Sequence, residues 1–171
     1  MQSQLMFATS IVIPSPEEAI CKAVVIAVGE FKEGEDDVFI VEERLKGPAN
    51  LPKELIVYYP FGFFSVSRWR ADLHQEQTIF LGKMIPEYGI IIPMSTGLYG
   101  FWPQGPKPGY LAFHDIDQLK EYIKQKLATG STDNASMVSS RLEDGSPIKK
   151  EIEGFLRARA KEHAAKVNHI N

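Results

Sequence analysis

Residues 23–29 read Ala-Val-Val-Ile-Ala-Val-Gly, and residues 38–47 read Val-Phe-Ile-Val-Glu-Glu-Arg-Leu-Lys-Gly. Val24 to Val28 is an unbroken apolar run, the pattern of a buried strand. The second stretch alternates: Phe39, Val41 and Glu43 face one way, and Val38, Ile40 and Glu42 the other. Between them lies Glu33-Gly34-Glu35-Asp36-Asp37, which reads as a hairpin loop with a solvated tip. It lacks the alternating ligands and closing Glu of a calcium loop. Lys46-Gly47-Pro48 stops the second strand.

Working outward, the β pattern continues at residues 54–59, ended by Pro60, then at 78–82, 88–93 and 110–113. Five or six short strands at close spacing point to a small antiparallel barrel or sandwich, and the small closed antiparallel barrel is the expected fold. Upstream, Ser15-Pro16-Glu17-Glu18 opens a short helix. Ser15 caps it, Pro16 suits the first helical position, and Glu18 completes a capping box. Downstream, Asp115 caps a helix with Ile116, Leu119, Ile123 and Leu127 on one stripe, and Gly130 ends it. Residues 130–146 are rich in Ser, Thr, Asn, Asp and Gly and read as a flexible linker. Ser146-Pro147 then opens a C-terminal amphipathic helix over residues 147–168. Its apolar face is Ile148, Ile152, Phe155 and Leu156. The expected organisation is a barrel with its terminal helix (1–129), the linker and the last helix.

The 171 residues are 44% hydrophobic and 24% charged, as in a soluble globular chain with one domain and an appendage. Such a chain buries roughly two-thirds of its unfolded surface, so no disulfide or metal is needed for folding. The single cysteine, Cys21, excludes an intramolecular disulfide and a multi-cysteine zinc site. Its neighbours Ala19, Ile20 and Ala23 read it as a buried, inert thiol. The net charge of −3 argues against general nucleic-acid binding. No stretch approaches the roughly 20 apolar residues of a membrane span. The first lysine is Lys22, so residues 1–15 make a poor secretory leader. The expected location is periplasmic or secreted if a leader preceded Met1, and cytoplasmic otherwise.

The order of these phrases resembles bacterial relatives of tissue-inhibitor-of-metalloproteinase and netrin-like domains. The likeness is carried by residues 23–29, residues 38–47, Leu55-Ile56-Val57-Tyr58, Thr78-Ile79-Phe80-Leu81 and the Gly-aromatic turn Gly97-Leu98-Tyr99-Gly100-Phe101. It covers residues 15–127 and implies an OB-type five-stranded barrel, found often in secreted or envelope proteins. The animal inhibitors chelate a protease zinc through an N-terminal Cys-x-Cys. Here Cys21 stands alone inside a helix, so that chemistry does not carry over.

Two aromatic clusters stand out. Residues 58–70 hold Phe61, Phe63, Phe64 and Trp69 with Arg68 and Arg70. Rings and guanidinium groups are mutual stacking partners and the usual anchors of protein interfaces. The alternative is that these rings plug one end of the barrel. Residues 99–110 hold Tyr99, Phe101, Trp102 and Tyr110 among three prolines, a stiff loop that loses little entropy on binding. Its alternative is that Phe101 and Trp102 close the barrel over the first helix. The C-terminal helix face packs on the barrel, or docks in a homodimer or another partner.

Catalytic signals are sparse. Asp72 and His74 lie near Ser65 and Ser67, but no Gly-x-Ser-x-Gly elbow is present. His74, His114, His163 and His169 lack metal-ligand spacing, and helix capping explains Asp115 more simply than a metal does. No Gly-rich phosphate loop precedes a helix. The expectation is a non-enzymatic protein-binding module, bacterial and envelope-associated or secreted, without cofactor or metal. Its anchors are Phe63, Phe64, Arg68, Trp69, Arg70, Tyr99 and Trp102. The alternatives are an immunity protein that neutralises a bacterial toxin, since acidic charge steers encounter with a basic enzyme, and a hydrolase working through Asp72 and His74.

Overall fold

The run after Ala23 folds as β1 (Val25–Phe31) and pairs antiparallel with β2 (Val38–Lys46). The computed structural model describes residues 15–35, 37–59, 77–93, 101–103, 116–129 and 147–168; of 101–103 and 166–168 it describes the backbone. The other elements are α1 (Pro16–Lys22), β3 (Glu54–Val57), β4 (Thr78–Ile85), β5 (Ile90–Pro93), β6 (Phe101–Pro103), α2 (Ile116–Thr129) and α3 (Pro147–Asn168). A single turn of 3-10 helix, Pro86–Tyr88, joins β4 to β5.

The strands close into a five-stranded ring, β1-β2-β3-β5-β4 and back to β1. The last seam sets Val25 opposite Gly82 and Gly29 opposite Thr78. The ring is mixed, which corrects the expectation of an antiparallel barrel. An odd number of strands cannot alternate direction all the way round, so one contact must be parallel. It is β3–β5, with Ile56 opposite Ile90 and Val57 opposite Ile91. The strand expected at residues 110–113 lies outside the described residues. The sixth strand among them is β6, which pairs with the start of β4.

The apolar run of β1 is explained by burial on both faces. Val25, Ala27 and Phe31 point inside with Phe39, Leu55, Val57, Phe80 and Ile91. Ile26 and Val28 point outside with Ile79 and Leu81 of β4, under Ala19, Ile20 and Ala23 of α1 and Ile116, Leu119 and Ile123 of α2. A second outer flank, Ile85 and Ile90 with Tyr58, packs against Ile152 of α3. Fully burying one such side chain contributes about 1.5–3 kcal/mol.

β2 departs from strict alternation. Val28 faces Glu43 and Gly29 faces Val41, so Glu42 is an extra residue, and Leu45 is another between Arg44 and Lys46. Each bulge bends the strand and re-aims the side chains beyond it. Glu43 therefore reaches the outer face, where Lys120 and Lys124 of α2 meet it at 3.2 and 3.5 Å. Exposed Glu42 accepts a hydrogen bond from Gln77.

The α1 capping box forms as the sequence dictates: the Glu18 backbone N–H donates to Ser15 Oγ at 3.2 Å, and the Ser15 N–H to Glu18 Oε2 at 3.0 Å. Such a cap contributes about 1 kcal/mol. At the other end Lys46 Nζ donates to the carbonyls of Ile20 and Cys21, at 3.3 and 3.0 Å. These carbonyls have no partner inside the helix, and the ammonium satisfies them. Burial there pushes the Lys46 ammonium below its usual range. Cys21 itself is exposed, which corrects its reading as a buried thiol. Ala19, Ile20 and Ala23 take the inward face of this short helix, and Cys21 falls on the other side.

Two contacts tie α1 to α2. Tyr122 Oη donates to Glu17 Oε1 at 2.6 Å, and Lys126 Nζ lies 3.4 Å from the same carboxylate. Burial, then the bond to Glu17, push the Tyr122 phenol up to about 12. A phenol with a raised pKa contributes its stability fully below the ordinary tyrosine value of about 10. That contribution is lost as pH rises through the folded value of about 12. An ultraviolet tyrosinate titration of Tyr122→Phe is expected to lose one phenol with a midpoint near 12. Loss of a phenol near 10 instead would contradict the placement.

Candidate functional site

The barrel register fixes the strand ends that flank both aromatic clusters in the sequence. β3 runs parallel beside β5, and the Tyr58 N–H donates to the Ile91 carbonyl at 2.9 Å. β5 and β6 both run antiparallel to β4: Pro93 faces Gly82, Phe101 faces Phe80 and Pro103 faces Thr78. β1 holds the other edge of β4, so β5 and β6 share one edge and residues 94–100 stand between them. Tyr59 and Gln77 are the described residues on either side of residues 60–76. The C-terminal ends of β3 and β5, the start of β4 and the end of β6 therefore lie at one end of the barrel.

Of the anchors read from the sequence, Trp102 is placed by its backbone in β6, opposite Ile79. Phe63, Phe64, Arg68, Trp69, Arg70 and Tyr99 lie outside the described residues, as do Ser65, Ser67, Asp72, His74, His114 and His169. At the same end, Thr78 is fully buried and its hydroxyl has no hydrogen-bond partner among the described residues.

The second constellation is the seam under α3. Ile152 is fully buried, while Ile148, Phe155 and Leu156 are half-buried. The Tyr58 and Phe155 rings sit 5.3 Å apart at a tilt of 53°. Tyr58 Oη donates to Glu151 Oε2 at 3.2 Å, and Tyr88 Oη to Glu153 Oε1 at 3.3 Å. Burial first, and then these carboxylates, push both phenols up. The helix face offered in the sequence to a dimer or partner is thus covered by the barrel of its own chain.

The seam ends on the acidic hairpin. Arg159 Nε donates to Asp37 Oδ2 at 2.5 Å, and its Nη2 to Glu35 Oε2 at 3.0 Å. His163 Nε2 lies 3.7 Å from the same Glu35 oxygen. Lys32 Nζ meets Glu35 at 3.1 Å, and this bond above all holds the Glu35 carboxyl below its usual range. Glu35 and Asp37 are therefore engaged by α3, which corrects their reading as solvated, while Glu33 and Gly34 are exposed as expected of a hairpin tip. Backbone bonds fix both ends of the seam on β3: the Val57 N–H donates to the Asp37 carbonyl at 2.8 Å, and the Ile56 N–H to that of Gly89 at 2.9 Å. The β1–β2 connection carries Glu35 and Asp37, and the β4–β5 connection carries Tyr88. Here α3 touches both.

The sequence offered the apolar face of this helix to the barrel as one of its alternatives, but the contacts of Glu151, Glu153, Arg159 and His163 were not read. The available signal was spacing: Ile152, Phe155, Leu156, Arg159 and His163 fall at intervals of three and four, on one helix face. Among the described residues, no three His, Cys, Asp or Glu side chains gather as a metal-ligand set, and no helix is long and apolar enough to cross a membrane. No protein-family model, curated protein or solved structure matches this chain.

Proposed function

We propose that this protein is a non-catalytic protein-binding module, anchored by Phe63, Phe64, Arg68, Trp69, Arg70, Tyr99 and Trp102. The observation that carries this reading is the register of β3, β5, β4 and β6. It brings the described strand ends that flank the two aromatic segments in the sequence to one end of the barrel. Large rings supply contact area at low entropic cost, and Arg68 and Arg70 orient an acidic partner surface. We place the chain beside bacterial, envelope-associated or secreted netrin-like domains, on the sequence resemblance and on the helix α2 that comes after the barrel.

The test is affinity capture from the native source, with mass spectrometry, using the wild type and a Trp69→Ala/Trp102→Ala double variant. Truncating interface anchors typically costs about 2 kcal/mol or more each. Retention of a specific protein is therefore expected to fall at least about tenfold in the double variant. Circular dichroism is used to confirm that the fold is kept. Equal retention by a folded double variant overturns the assignment.

A further inference from the structure

We infer that α3 is a strap that holds the parallel β3–β5 seam shut, and that the barrel opens at this seam when the strap is loosened. This does not depend on the aromatic anchors proposed above.

The β3–β5 seam is the shortest of the five in the ring. Its ladder sets only Ile56 opposite Ile90 and Val57 opposite Ile91. The closing seam of β1 and β4 runs from Val25 opposite Gly82 to Gly29 opposite Thr78. The β3–β5 seam is also the parallel one, and parallel pairing is slightly less stable per residue. Toward β5, the Ile56 and Tyr58 N–H groups donate to the carbonyls of Gly89 and Ile91, each at 2.9 Å. The Val57 N–H points the other way, to the Asp37 carbonyl at 2.8 Å. Leu55, Val57 and Ile91 belong to the barrel interior, so a parting of β3 from β5 opens a route from the surface into it.

α3 is fastened on both sides of this seam. On the β3 side, Phe155 packs on the Tyr58 ring, Glu151 accepts from Tyr58 Oη, and Arg159 reaches Glu35 and Asp37. On the β5 side, Glu153 accepts from Tyr88 Oη, next to the Gly89 whose carbonyl receives Ile56. Ile152 is fully buried in one cluster with Tyr58 from the first side and Ile85 and Ile90 from the second. Parting the strands therefore breaks contacts on one side of the helix or the other. The hold is local: among the described residues, neither the barrel interior nor the cluster under α1 and α2 contains a residue of α3.

Native-state amide hydrogen exchange of the full chain tests this residue by residue. In Ile152→Ala, the Ile56 and Tyr58 amides are expected to exchange at least about tenfold faster than in the wild type. Two reference amides are expected to change by less than about threefold. One is Val57, between them on the same strand; the other is Val24, which donates to the Gly82 carbonyl at 2.9 Å. Alternation along β3 is the signature, because fraying of the whole strand frees Val57 together with its neighbours. Equal acceleration of all four amides overturns the proposal, since α3 then stabilises the barrel as one cooperative unit. Unchanged exchange at Ile56 and Tyr58 overturns it as well. If Ile152→Ala fails to fold, Glu153→Gln/Arg159→Gln decides by the same four amides and the same outcomes. It cuts one polar fastening on each side of the seam, at half-buried positions, and leaves Ile152 in place.

Discussion

Gly29→Ala is expected to lower the melting temperature by about 10 °C or more. A Cβ at this position would sit 1.8 Å from the Ile40 carbonyl oxygen, 2.9 Å from its carbon and 3.1 Å from Cε1 of Phe39. Two of these three are backbone atoms of the neighbouring strand, so no rotamer change relieves the clash. The strand cannot slide away either. Gly29 is paired with Val41 on one side, beside a bulge, and with Thr78 on the other, across the closing seam. Separating either pair opens the ring. The expected cost is about 3–5 kcal/mol, beyond ordinary overpacking. For a chain of this size each kcal/mol moves the midpoint by about 2–4 °C. Gly34→Ala is the control. Nothing lies within 4 Å of its Cβ position, and only its φ of +76° is strained, which costs about 1–2 kcal/mol. Urea or thermal melts compare the two. Equal losses would show that steric closeness at Gly29 is not the cause.

Phe39→Ala is expected to cost about 3–5 kcal/mol, measured by urea denaturation. Phe39 is fully buried at the centre of the barrel interior. It meets Phe31 edge-on at 5.6 Å between ring centroids and Phe80 at 6.2 Å with a tilt of 48°. Three rings from three strands thus fill one interior, and removing the middle one leaves a cavity that a hydrogen-bonded ring cannot collapse around. Phe39→Leu keeps most of the volume and is expected to cost less than half as much. A double-mutant cycle of Phe39→Ala with Phe80→Ala should return a coupling of about 0.5–1.5 kcal/mol. Strict additivity would mean that the rings do not act together.

Local patterns were legible because their physics is local. The Ser15 capping box, the α2 stripe of Ile116, Leu119 and Ile123, and the bounds of α3 followed from neighbouring residues. Features that depend on distant partners were not. A bulge adds one residue without changing composition, so the outward turn of Glu43 was hidden in an alternating run. β6 has three residues, Phe-Trp-Pro, too few for any period. The parallel β3–β5 contact follows from closing an odd ring, a property of the whole and of no segment. Cys21 was misread because its apolar neighbours face one way and it faces the other. The Arg159–Asp37 pair joins residues 122 positions apart, which the helix spacing could hint at but not assign. The aromatic clusters were legible as composition, and the fold adds where the described strands that flank them end.

The two-sided burial of β1 also has a consequence for how the chain is made. β2 comes next and covers one edge, but the outer face of Ile26 and Val28 waits for α2. At roughly 5–20 residues per second, about 5–20 s of synthesis separate the end of β1 from the end of α2. For about the first half of that interval the nascent hairpin shows an unpaired edge, the edge later taken by β4, and to its end the outer apolar face is covered only in part, by α1. The finished protein hides its stickiest strand most completely, and the ribosome displays that strand first.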